Sequence, residues 1–117
     1  KNSKKYSNVY FIERFLNENE KKFLFKSATA FLFPSINVSE TLGITQIEAL
    51  SLGCPVINTN LNTAVPYVSI DKLTGRTIRV NDHKELSNAI NFIFALVVKI
   101  DGTLINALVV GCNSEPE

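Results

Sequence analysis

Ala30-Phe31-Leu32-Phe33 is apolar at every position and is stopped by Pro34. A strand with one wet face alternates apolar and polar residues, so an unbroken run needs cover on both faces. That demand fits a parallel strand held between helices, and the flanking sequence supplies them. Pro55-Val56-Ile57-Asn58 is a second run of this kind. Val9-Tyr10-Phe11-Ile12 is a further strand candidate, β-branched and aromatic. Tyr67-Val68 and Thr77-Ile78-Arg79-Val80 are shorter candidates flanking a turn at Gly75. Asn17, with Glu20 three residues later, pairs an N-cap with a reciprocal capping side chain. It predicts a helix to Ser27 with Phe23 and Leu24 on its inner face. A second helix fits residues 44–52, and Gly53 stands where a left-handed C-terminal cap is wanted. Asp82 and Glu85 repeat the capping pattern and open a third helix. Its Leu86, Ile90, Ile93, Phe94 and Val97 recur at helical spacing. Strands alternating with helices predict βαβ units, and hence a doubly wound parallel α/β domain.

Composition narrows the function classes. At 117 residues and 45% hydrophobic content the chain can bury one modest core. A net charge of +1 argues against a nucleic-acid binder, which needs a basic stripe to neutralise phosphates. Lys1, Lys4 and Lys5 form the one local excess, read as a solvated chain end. Cys54 and Cys112 are far apart with no second pair, which suits reduced thiols of a cytoplasmic protein. The longest apolar run, residues 92–98, is far short of the roughly 20 residues that a membrane span needs. No signal peptide is visible, and the chain opens on Lys1 instead of Met, which reads as a piece of a larger protein.

The chemistry gathers between Pro34 and Val56. Glu40 is predicted in the loop before the second helix, and Glu48 inside that helix, eight positions on. The first amides of a helix have no partner within it, and its dipole there favours negative charge. Gly43 removes the side chain where a ligand must come close. Together these make a diphosphate site, and the two carboxylates can accept hydrogen bonds from sugar hydroxyls. Taken singly, Glu40 reads as a solvated loop acid and Glu48 as an exposed helix residue.

The surrounding words are more specific. Phe33-Pro34-Ser35, Ser39-Glu40-Thr41-Leu42-Gly43-Ile44, Glu48-Ala49-Leu50 and Gly53-Cys54-Pro55-Val56-Ile57 occur in that order. This arrangement resembles the C-terminal, donor-binding domain of GT-B glycosyltransferases, and within them the retaining type called glycosyltransferase family 4. Its signature sets two glutamates eight positions apart, preceded by Pro-Ser and followed by Glu-Ala and Gly-x-Pro-Val. The likeness runs over about residues 9–94, including the Thr74-Gly75 turn and the Asp82-led helix.

The resemblance implies a Rossmann-like parallel sheet with helices on both faces, one half of a GT-B architecture. It implies transfer of a hexose from a nucleotide sugar to a sugar or lipid acceptor in polysaccharide biosynthesis. Glu40 would contact the donor sugar and act in catalysis. Thr41, Leu42, Gly43 and Ile44 would approach the sugar and diphosphate, the last three through backbone amides. Glu48 would accept from the ribose hydroxyls. No metal and no cofactor is expected beyond the nucleotide-sugar donor. A Gly common after the first strand of the family is replaced here by Glu13-Arg14, which puts base contacts there in doubt. The family's phosphate-binding Arg and Lys, and the N-terminal acceptor domain, would lie upstream of this segment. Arg14, Lys72 and Arg76 do not occupy the matching motif positions and read as surface charges. The isolated chain is therefore expected to be inactive. In a complete enzyme the location implied is cytoplasmic or peripheral to a membrane.

Residues 1–98 read as a partial nucleotide-sugar-binding domain and residues 99–117 as a tail outside the family pattern. In the tail, Asp101-Gly102 can turn a hairpin, or the same residues can end a helix before a short apolar one reaching Val110. Two other function classes remain open at this level: a non-catalytic α/β binding or assembly module, and a fragment of a GT-B-like nucleotide-sugar epimerase.

Overall fold

The computed structural model describes residues 9–39, 41–100 and 107–109, with residues 96–100 and 107–109 described by their backbone alone. Strands β1 (Ala30–Phe33), β2 (Val56–Thr59), β3 (Gly75–Ile78) and β4 (Ala107–Val109) form one sheet in the order β3-β2-β1-β4. Every neighbouring pair is parallel: Phe31 lies opposite Val56 and Leu108, and Val56 opposite Gly75. Helix α1 (Glu18–Ser27) leads into β1, and α2 (Ile44–Ser51), the short α3 (Val65–Val68) and α4 (His83–Ile100) connect successive strands.

The four residues of β1 are all buried, as the unbroken apolar run requires. Phe31 and Phe33 point to one face and meet Phe25 of α1, Ala49 of α2 and Val65 of α3. Ala30 and Leu32 point to the other and join Ala89 and Ile93 of α4. Helices thus cover both faces of a parallel sheet, the α/β class expected. Phe25 meets Phe31 edge-on with ring centroids 5.2 Å apart, so burial and ring electrostatics act together.

The caps are where the sequence places them. Asn17 Oδ1 accepts from the Glu20 amide at 2.8 Å, and Glu20 Oε1 accepts from the Asn17 amide at 2.9 Å. The helix ends at Ser27. Asp82 Oδ1 accepts from the Glu85 amide at 2.9 Å, whereas the Glu85 carboxylate turns away to the Arg79 amide. Gly53 follows α2 at φ 79°, the left-handed cap expected of it.

Other details of the sequence reading need correction. On α1 the inner residue is Phe25, at 3% exposure, while Phe23 is 69% exposed and Leu24 half-buried. Phe23, Leu24 and Phe25 stand in a row, so composition could not choose the phase. Packing against β1 chose Phe25, with Ala28 at the helix end beside the same cluster. Residues 9–12 form no strand: Tyr10 is 84% exposed, and the free side of β1 pairs with β4. Tyr67-Val68 belong to helix α3, because Pro66 presets a helical φ and Thr63 Oγ1 accepts from the Val65 amide. The turn expected at Gly75 falls at residues 72–74, with Lys72 at φ 68°, and Gly75 itself opens β3. In the tail, residues 97–100 continue α4 and β4 runs parallel to β1, which excludes both the hairpin and a helix through residues 107–109. Leu104, Ile105, Cys112 and the Lys1, Lys4, Lys5 cluster lie outside the described residues.

Cys54 sits between α2 and β2 at 1% exposure. Burial pushes its thiol up to about 11, because the thiolate has lost its hydration. A folded-state pKa above the unfolded one means stability that is intact below about pH 8.5 and declines as pH rises toward 11. Unfolding free energies from urea titrations across that window should fall more steeply for the wild type than for Cys54→Ala, by up to about 2 kcal/mol. Parallel curves for the two proteins would refute the claim.

Candidate active site

The site is built where β1 delivers the chain to α2. After Phe33 the backbone passes Pro34 and Ser35, whose carbonyl accepts from Thr59 Oγ1 at 2.6 Å. This bond ties the exit of β1 to the end of β2. Gly43 then takes φ 73° as the N-cap of α2 and makes no side-chain capping bond. A Cβ built there would lie 2.8 Å from Phe33 Cε2 and 3.0 Å from Gln46 Nε2. Both the positive φ and the space therefore require glycine. The start of α2 thus follows the carboxyl end of β1 with no side chain at its N-cap, and the first amides of a helix favour an anion.

The structure places five of the six residues singled out from the sequence. Thr41 is exposed, and its carbonyl accepts from the Ala64 amide at 2.9 Å, anchoring the loop to the segment before α3. Leu42 and Ile44 are 39% and 66% exposed, flanking the buried Gly43. Glu48 lies one turn into α2 and is half-buried. Glu40 lies outside the described residues.

Lys21, which sequence reasoning missed, meets Glu48 from α1. Its Nζ stands 3.5 Å from Glu48 Oε2 and 3.4 Å from Glu18 Oε2. Burial opposes the Lys21 charge, but Glu48 and Glu18 together hold its pKa above the ordinary lysine value. Glu48 Oε1 is buried without a hydrogen-bond partner.

A buried polar chain was missed as well. Gln46 and Asn58 are both fully buried. Asn58 Nδ2 donates to Gln46 Oε1 at 2.8 Å and to the Val65 carbonyl at 3.0 Å. Gln46 Nε2 donates to the Leu42 carbonyl at 3.1 Å, and Thr77 Oγ1 donates to Asn58 Oδ1 at 2.7 Å. The chain links the Gly43 loop to α3, β2 and β3, so the loop is held from beneath by satisfied hydrogen bonds. Asn58 inside an apolar run was the visible signal, since a buried amide there needs partners.

Residues 2–96 match the family described as Glycosyl transferases group 1. The chain belongs to that family. Over 85 residues it is 35% identical to the O-antigen chain mannosyltransferase C of Escherichia coli, covering 73% of this chain and 23% of that protein. Over 71 residues it is 32% identical to the D-rhamnosyltransferase WbpZ of Pseudomonas aeruginosa, covering 61% of this chain and 18% of that protein. The chain thus spans less than a quarter of either relative.

In this group 1 glycosyl transferase chain the three cations weighed from the sequence differ in their pairing. Arg14 forks onto both Glu20 carboxylate oxygens at 3.0 Å. Arg76 pairs with Asp71 at 3.1 Å and lies 4.9 Å from the centre of the Phe92 ring. Lys72 is exposed. Burial pulls the Asp71 carboxyl upward, yet the Thr77 amide, Arg76 and Lys72 together keep it below the usual carboxylate range. Beyond the ends of β2 and β3, a cleft of about 390 Å³ is lined by Asn60, Tyr67, Asp71, Arg79 and Glu85 among others. Among the described residues no cluster of His, Cys, Asp or Glu could hold a metal ion. No helix of the described residues is long and apolar enough to cross a membrane.

Proposed function

We propose that this chain is the donor-binding part of a retaining glycosyltransferase of the GT-B, family 4 type, which moves a hexose from a nucleotide sugar to a sugar or lipid acceptor. The observation that carries the reading is Gly43. It starts α2 in a left-handed conformation, packed so closely on Phe33 that no side chain fits, at the carboxyl end of a parallel strand. Crevices at this position of an open α/β sheet are where nucleotides bind. The amides around Leu42, Gly43 and Ile44 take the diphosphate, Glu48 the ribose, and Glu40 the transferring sugar. The mannosyltransferase and rhamnosyltransferase names of the relatives support a hexose-type donor. Turnover needs an acceptor domain and cations to stabilise the leaving diphosphate, so the chain alone binds without transferring. No metal or further cofactor enters this reading. The enzyme works on the cytoplasmic side, free or peripheral to a membrane.

The test is a calorimetric titration of the chain with a panel of nucleoside diphosphates. With half the crevice contributed, affinity is weak. Glu48→Ala should weaken the best ligand by about 1 to 3 kcal/mol, because a ribose hydroxyl loses its acceptor. Equal heats for wild type and Glu48→Ala would remove Glu48 from the ribose.

A further inference from the structure

Glu48 and Lys21 come from different helices, and their meeting has no part in the reading above. Lys21 lies one turn before the buried Phe25 of α1 and is itself half-buried. Glu48 immediately precedes Ala49, which is 0% exposed. Both side chains therefore rise from anchored backbone, and both are partly buried, at 30% and 36% exposure. The contact is one-sided: Lys21 Nζ approaches Oε2 at 3.5 Å, while Oε1 is buried and unpartnered. A buried carboxylate oxygen without a donor carries a desolvation penalty that a ligand hydroxyl relieves.

We propose that Lys21 is a positioning residue, which holds the Glu48 carboxylate through Oε2 and leaves Oε1 as the acceptor for a ribose hydroxyl of the donor nucleotide. The role rests on the nucleotide-binding reading and adds to it a side chain from α1. An ammonium has three donors and no acceptor, so Lys21 can donate to Glu48 Oε2 and to Glu18 Oε2 at once. Glu18 is 76% exposed, on the solvent side of the lysine, so it steadies the ammonium from outside. Without Lys21 the Glu48 carboxylate loses its ion-pair partner among the described residues, and the ribose loses a preorganised acceptor.

The experiment reads ribose recognition separately from phosphate binding. The 117-residue chain is titrated with ADP, GDP, UDP and CDP, and the tightest of these is then compared with its 2′-deoxy analogue. The same pair is measured for Glu48→Ala, Lys21→Met, Lys21→Gln and Lys21→Arg, with melting temperatures recorded alongside. The wild type should prefer the ribonucleotide, and Glu48→Ala should abolish the preference. Lys21→Met and Lys21→Gln should cut it by about threefold or more, with affinity for the 2′-deoxy ligand held within about twofold. Lys21→Arg, which keeps the charge, should restore most of it. Equal loss for both ligands would make Lys21 a phosphate cation or a structural residue and overturn the proposal. No loss in either neutral variant, beside a responsive Glu48→Ala, overturns the positioning role alone. A Glu48→Ala protein that keeps the preference, or a chain that binds none of the four nucleotides, overturns the nucleotide reading and this inference with it.

Discussion

Gly75→Ala is expected to destabilise the chain more than any other single methyl addition at its described glycines. A Cβ at Gly75 would lie 1.8 Å from the Val56 carbonyl oxygen and 2.7 Å from its carbon. Those atoms are backbone of the neighbouring strand, so no rotamer change relieves the clash. The strands can separate only by breaking the register that sets Val56 opposite Gly75 and Thr59 opposite Ile78. Overpacking of this severity costs about 3 kcal/mol or more, a large part of the roughly 5 to 15 kcal/mol that holds a small domain folded. Gly53→Ala is the matched control. Its Cβ would meet nothing within 4 Å, and only the φ of 79° opposes the side chain, at about 1 kcal/mol. Urea denaturation followed by circular dichroism ranks the two. A Gly75→Ala protein as stable as Gly53→Ala would mean that β3 does not approach β2 as described.

The second large effect falls on Glu40 and rests on the proposed transfer reaction. Glu40 lies between Ser39 and Thr41, just before the Gly43 turn. In the enzyme completed by its acceptor half, Glu40→Ala removes the carboxylate from the transferring sugar, and Glu40→Gln keeps its shape and one acceptor oxygen. Contacts made to the reacting group act on turnover. Both variants should lower kcat, Glu40→Ala by about 10²-fold or more, while nucleotide affinity changes little. A residue that merely braces the loop would instead lower the melting temperature and weaken all binding in proportion. If Glu40→Ala transfers sugar at the wild-type rate, this residue has no catalytic role, and the family likeness describes fold alone.

These two predictions differ in what made them visible. Glu40 was found from the order of short motifs around it, which the family match over residues 2–96 agrees with at the level of the family. Gly75 was read as a turn residue, because a glycine after Thr74 announces a turn in any sequence. Its actual constraint is the carbonyl of Val56, nineteen positions earlier and on another strand. Lys21 was missed for a similar reason. A lysine in a helix reads as a solvated charge, and Glu48, its partner, is 27 positions away.

The sequence by itself determined the features that depend on near neighbours. The apolar run of β1, with Phe31 and Phe33 on one side and Ala30 and Leu32 on the other, dictated a strand covered on both faces. The Asn17–Glu20 box, the Asp82 cap and Gly53 bounded helices, because caps act within a few residues of the chain. Tertiary structure decided where several local choices were nearly equal in energy. It picked Phe25 over Phe23 as the buried ring, and in that phase of α1 Phe25 meets Phe31 edge-on. It gave the side of β1 to Ala107–Val109 and left residues 9–12 unpaired, since both segments suit a strand and one place is open beside β1. It joined Gln46, Asn58 and Thr77 into one buried chain beneath the Gly43 loop. Such bonds between distant residues form only once the sheet has set its register, and no local pattern in the sequence encodes them.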